Sequence, residues 1–194
     1  MLKRIVSVIL LLIWTLSLAS CYSAYFDEEY QVGFTLRSKE DVSHTDGSIV
    51  IQLDDKLTAA VFVRDALEAA DEQYFTLYEP SQLDLHSGAY EANYNNPAYI
   101  SKLFEYLFAG GEREYSVYGI REDVFGAEAY PAWRAGFTSK EDTVNGYVYL
   151  TVAHARCVIV CIYVYDTMLN IHKYDKKIER FTENFTIAEV KESE

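Results

Sequence analysis

Three prolines, three cysteines, two methionines and two tryptophans occur in 194 residues. So little proline, with no glycine period, excludes a collagenous or polyproline chain, and so few cysteines exclude a disulfide scaffold. Positive charge is scarce as well: 17 Lys and Arg face 30 Asp and Glu, a net charge of −13. Nucleic-acid affinity comes mainly from cations that neutralise phosphates, so this balance excludes a nucleic-acid partner. Enzyme signatures are also missing. There is no Gly-x-Ser-x-Gly, no His-Glu-x-x-His, no phosphate-binding glycine loop with its Lys, and no dinucleotide fingerprint. The four histidines, His44, His86, His154 and His172, are scattered. Acid pairs such as Asp54-Asp55 and Glu28-Glu29 are adjacent, and on a strand they would point to opposite faces. The expectation is a non-catalytic protein without metal or cofactor, although carboxylates and histidines far apart in sequence could still meet through the fold.

What the chain has instead begins at its N-terminus. Lys3 and Arg4 precede an apolar run from Ile5 to Leu16, followed by small residues ahead of Cys21, the layout of a secretory signal peptide. The alternative is an uncleaved anchor, since no charge occurs from Ile5 to Phe26 and about 20 apolar residues span a bilayer. Residues Leu18-Ala19-Ser20-Cys21 resemble the lipobox of bacterial lipoproteins, and all four fit. The resemblance implies a diacylglyceryl group on the Cys21 thiol and cleavage before it. It also implies a lipid anchor at the extracytoplasmic face of a cell membrane, the outer membrane if the cell is Gram-negative. Two acyl chains give stable attachment where one is marginal. Loss of residues 1–20 removes two cations and no acid. The 174 residues that remain carry 15 basic and 30 acidic groups, a net charge of −15. So acidic a chain predicts attachment by lipid, not by a basic surface. Residues 21–29 are expected to form the lipidated end and a short spacer, 30–187 one domain, and 188–194 a charged tail.

The remaining cysteines, Cys157 and Cys161, lie in a run of β-branched and aromatic residues ending at Tyr165. In a strand they share a face about 13 Å apart, too far for a disulfide, which needs Cα atoms within roughly 7 Å. They are expected to be buried free thiols. The same run is apolar on both faces, so the sheet that holds it must be covered on both sides.

Elements can be placed along the rest. Strands are expected at Tyr30–Leu36, Ser48–Leu53 and Leu57–Val63, with Thr45-Asp46-Gly47-Ser48 as a turn before the second. A helix is expected from Asp65, as N-cap, to Pro80, and another from Asn96 and Pro97 to Gly110-Gly111. Between them Ser81–Asn95 has no period, and long irregular stretches are often functional. Strands follow at Tyr115–Glu122, Tyr130–Ser139, Gly146–Ala153 and Arg156–Tyr165, with Asn145-Gly146 and His154-Ala155-Arg156 read as hairpin connections. A last helix, roughly Leu169–Thr182, should bury Ile171, Tyr174, Ile178, Phe181 and then Phe185. Its other face carries Lys173, Lys176, Lys177 and Arg180, either for an anionic partner or as a solvated face interleaved with Asp175 and Glu179. Phe185–Ile187 reads as a short final strand. The fold class is α+β, an antiparallel sheet of about six to seven strands sandwiched by helices.

Gly126-Ala-Glu-Ala-Tyr-Pro-Ala-Trp-Arg-Ala-Gly-Phe-Thr138, the hairpin around His154, and Ile178-Glu-Arg-Phe-Thr-Glu-Asn-Phe-Thr-Ile187 are similar in order and pattern to the fold shared by the PsbP oxygen-evolving-complex proteins and Mog1. The resemblance covers most of Tyr30 to Ile187. It implies an antiparallel sheet between helices and a role in binding other proteins, without a shared catalytic site.

Tyrosine is the notable excess: all 17 follow Cys21. Tyr offers apolar area with a polar tip at low entropic cost, which suits interfaces, but it also favours strands. Tyr90, Tyr94 and Tyr99 near the irregular stretch, with Trp133, are the candidate binding residues. The expected function is a membrane-tethered, extracytoplasmic lipoprotein whose domain binds a protein or envelope component. The rival reading is a small-molecule receptor with a tyrosine-lined pocket between sheet and helix, and a further one is a hydrolase of dispersed acids and His.

Overall fold

The computed structural model describes residues 22–37, 40–45, 47–65, 115–139, 144–154, 156–165 and 171–189. The signal segment, Cys21, both expected helices between residues 66 and 111, and the stretch holding Tyr90, Tyr94 and Tyr99 lie outside them.

Among the described residues ten strands form two antiparallel sheets. They are β1 (Tyr22–Asp27), β2 (Val32–Arg37), β3 (Asp41–Thr45), β4 (Ser48–Gln52), β5 (Leu57–Asp65), β6 (Tyr115–Phe125), β7 (Tyr130–Ser139), β8 (Val144–Ala153), β9 (Arg156–Tyr165) and β10 (Thr186–Ile187). The large sheet has the order β3-β4-β5-β9-β8-β7-β6, and the small one β1-β2-β10. A 3-10 turn, Ile171–Tyr174, leads into helix α1, Asp175–Glu183.

Period-two alternation explains the large sheet. In β9, Val158, Val160, Ile162 and Val164 enter the main core, which also holds Ile49, Ile51, Leu57, Ala59 and Val61 of the neighbouring strands. Cys157, Ile159, Cys161 and Tyr163 lie on the other face with Trp133, Ala135, Phe137, Val148 and Leu150. The strand is thus apolar and covered on both faces. Neither thiol is in a disulfide, and desolvation pushes that of Cys161 up to about 12.

The main core is closed by the small sheet and α1 together. Phe34 of β2 meets Phe181 of α1 at 5.7 Å and Phe185 at 6.0 Å, and Phe185 meets Phe125 of β6 at 5.0 Å. The β6–β7 turn docks on the end of α1: the Gly126 N–H donates to the Thr182 carbonyl and the Ala127 N–H to that of Phe185. Gly126 has φ 82°, and a Cβ there would lie 2.8 Å from the Phe185 carbonyl oxygen.

Several expectations need correction. A sheet sandwiched by helices becomes, among the described residues, a sheet-dominated fold with one α-helix, because β1, β2 and β10 share the covering of the main core. The expected spacer Tyr22–Glu29 is largely β1, paired with β2 from Tyr22↔Arg37 to Asp27↔Val32. Its inward residues are Tyr25, stacked on Phe34 at 4.9 Å, and the buried Asp27. Asp41–Thr45 is a strand the sequence did not suggest, joined to β4 through the expected turn, where Gly47 has φ 77°. Asn145 and Gly146 sit inside β8, opposite Val164 and Tyr163, because no room for a side chain exists at Gly146, where a Cβ would run into the Ile162 carbonyl. Strand β5 continues to Asp65, the residue read as a helix cap.

Candidate functional site

A cleft of about 410 Å³ opens between the β6–β8 end of the large sheet and the helix. Its floor is two cross-strand rows. Arg121 of β6 faces Arg134 of β7, which faces Tyr149 of β8; beside them Tyr118 faces Gly136, which faces Tyr147. Tyr118 and Arg121 are three residues apart, a spacing that puts two side chains on opposite faces of a regular strand. A β-bulge between them, with Gly119 at φ 62°, brings both to the cleft. Gly136 lets the Tyr118 ring lie on the β7 backbone, since a Cβ would sit 2.4 Å from that ring. The helix wall supplies His172, Asp175, Ile178 and Glu179.

The electrostatics are arranged around Arg134. Its guanidinium lies 4.0 Å over the Tyr147 ring and 5.4 Å from that of Tyr149, which holds it flat by cation–π attraction. Two arginines directly opposite one another repel; Asp123 lies 3.5 Å from Arg134 and 3.9 Å from Arg121 and offsets the repulsion. The Tyr147 hydroxyl is 2.9 Å from His172 Nδ1, and Asp175 lies 3.4 Å from the same nitrogen. Burial raises the Tyr147 phenol and pushes that of Tyr149 up to about 12, so both stay neutral donors near neutrality. Tyr149 is 5 % exposed, its ring joins the core through Phe125 at 5.4 Å, and it lines the cleft.

Among the described residues the cleft lining contains no Ser, Thr or Cys. The closest acid–histidine contact elsewhere is Asp27 with His44 Nε2, 2.6 Å apart. Asp27 also accepts from the Tyr25 hydroxyl and the N–H groups of Glu29 and Tyr30, so its oxygens are occupied in closing the β1–β2 turn. No group of three or more His, Cys, Asp and Glu is gathered as a metal site among the described residues.

Of the residues singled out in the sequence, Trp133 is 6 % exposed and packs with Ala135, Phe137 and Leu150 on the sheet face opposite the cleft, where it serves as core. Cys21, Tyr90, Tyr94 and Tyr99 lie outside the described residues. Two of the four basic residues of that last-helix face are engaged, Lys177 with Asp54 and Arg180 as donor to Glu40 at 2.7 Å and to the Tyr22 hydroxyl at 3.0 Å, while Lys173 and Lys176 are exposed. Sequence reasoning did not find Arg121, Arg134 or Tyr118. Gly119 and Gly136, isolated in strand patterns, were the available signal of a bulge and a close approach.

No protein-family model matches the sequence, and no curated protein matches it. Among solved structures, the cyanobacterial PsbP (CyanoP) of Synechocystis sp. PCC 6803 aligns with a TM-score of 0.54 at 7 % identity, over 87 % of this chain and 94 % of that one. The Ran-binding protein Mog1p of Saccharomyces cerevisiae aligns with a TM-score of 0.48 at 11 % identity, over 87 % and 96 %. At such identities the likeness speaks for architecture alone, and on it the chain has a PsbP-like fold.

Proposed function

We propose that this protein is a lipid-tethered, extracytoplasmic binding protein that holds a small ligand in the cleft between β6–β8 and α1, and that it performs no catalysis there. The observation that carries the reading is a concave site of ligand size with tyrosines on its floor and charged side chains on both walls. Pockets of about 300 to 1,000 Å³ with few convergent polar groups are the usual form of small-molecule sites. The PsbP-like fold agrees with a binding role but does not specify a ligand. Contact with a protein or envelope component through Tyr90, Tyr94 and Tyr99 remains compatible with this role and uses other residues.

Thermal-shift screening of the purified protein against small charged metabolites tests it. Tyr118 is half exposed, so Tyr118→Ala should fold; ligands that raise the wild-type Tm by several degrees at a hundredfold excess over Kd should have little effect on the variant. Equal shifts in both proteins, or none in the wild type, would overturn the cleft as the binding site.

A further inference from the structure

Opposite charges face each other across the cleft. The sheet wall carries Arg121 and Arg134, and the helix wall carries Asp175 and Glu179. A ligand of one sign would meet its match on one wall and repulsion on the other. A ligand with both signs would satisfy both.

The arginine wall retains capacity for an anion. Asp123 approaches Arg134 no closer than 3.5 Å and Arg121 no closer than 3.9 Å, distances longer than a good charge-assisted hydrogen bond. A guanidinium has five donors, and stacking over Tyr147 fixes the plane of the Arg134 fork in the orientation a carboxylate needs. Tyr149 stands in the same cross-strand row and lines the cleft. Its hydroxyl is a neutral donor, and a ligand oxygen beside Arg134 would accept from it. On the helix wall, Glu179 is exposed and Asp175 is shared only with His172 at 3.4 Å. Neither has a Lys or Arg contact among the described residues.

We propose that the cleft binds a small zwitterion, a free amino acid or short peptide, with its carboxylate on Arg134, Arg121 and the Tyr149 hydroxyl, its ammonium toward Glu179 and Asp175, and its side chain against the Tyr118 and Tyr147 rings. This rests on the reading of the cleft as the ligand site and assigns that site its ligand class. The aromatic rings favour apolar or aromatic side chains over small ones.

The test uses three probes with one side chain: L-phenylalanine, N-acetyl-L-phenylalanine, which has no ammonium, and L-phenylalanine amide, which has no carboxylate. Calorimetry and ligand-detected NMR would measure their binding to the whole protein. The expected result is that phenylalanine binds at least tenfold more tightly than either derivative. Tyr149→Phe should weaken phenylalanine and the amide unequally, by about tenfold or more for the first and little for the second, in line with loss of one hydrogen bond to a charged group. Glu179→Gln, on the exposed helix surface, should close the gap between phenylalanine and the N-acetyl form. Equal binding of all three probes, or tighter binding of N-acetyl-phenylalanine, would overturn the zwitterion assignment and leave the cleft standing as a ligand site. Binding of none of them would overturn the assignment too. Loss of every ligand's dependence on Tyr118 in the screen above is the separate result that would remove the cleft itself.

Discussion

At the scale of single residues, function and stability are divided between two polar centres with opposite bookkeeping. Around Asp27 every acceptor site is used, by two backbone N–H groups, a phenol and His44. Burial alone would raise this carboxyl, but the Tyr30 N–H and His44 outweigh it and hold Asp27 below the ordinary carboxylate value. A carboxyl whose folded-state pKa is depressed contributes stability above its unfolded value, and that contribution is lost as pH falls through the folded value. Asp27→Asn should therefore cost about 1 to 3 kcal/mol at neutral pH, through weakened charge-assisted bonds to buried donors. It should also flatten the loss of stability below about pH 4, measured as denaturant midpoints from pH 7 to pH 2. An unchanged acid limb in the variant would mean that other carboxylates govern acid unfolding. At the cleft the charges are not matched pair by pair: Arg121 and Arg134 share Asp123, while Asp175 and Glu179 face them from the helix wall.

At the scale of elements, the β6–β7 hairpin joins the two functions of the fold. Its bulge places Tyr118 and Arg121 in the cleft, and its turn caps α1, whose residues form the opposite wall. Gly126 makes the second contact possible because its φ of 82° is left-handed and its missing Cβ admits the Phe185 carbonyl. Gly126→Ala should destabilise the protein by about 1 to 3 kcal/mol, from backbone strain and the displaced carbonyl. Hydrogen exchange should locate the loosened protection in α1 and β10, not in β4 or β5. Uniform loss across the large sheet would show that the turn is not the joint it is taken to be. Most strands were legible in the sequence: Tyr130–Ser139 and Arg156–Tyr165 match at both ends because alternation of apolar residues is local and strong there. Strands β1 and β3 were not. Residues 22–27 show exposed Tyr22, Ala24 and Phe26 on one side, and only pairing with β2 gives Tyr25 and Asp27 an inside.

At the scale of the whole molecule, β1 changes how an anchor would hold the domain. With Tyr22 already in a strand, a lipid on Cys21 would leave directly from the small sheet. That corner also holds Arg37 and Arg180, which donate to the Tyr22 hydroxyl, and Lys177, in a chain whose net charge is −13. Cys21→Ala in the full-length protein should abolish membrane fractionation of the mature form or leave an unprocessed, heavier species, with the folded domain's Tm unchanged. Quantitative membrane partition at the wild-type mature size would rule out the lipid.

The sequence by itself determined the acidic character, the address-like N-terminus, the two-faced strand β9 and the buried stripe of the last helix. Each depends on composition or on a period of two or 3.6 residues, and neighbours along the chain suffice to show it. Only the tertiary structure decided that Trp133 is core while its neighbour Arg134 is site, since adjacent residues of a strand face opposite ways and register alone chooses between them. It alone set Arg121 opposite Arg134 and Arg134 opposite Tyr149, because cross-strand pairing and bulges are contacts between segments far apart in sequence.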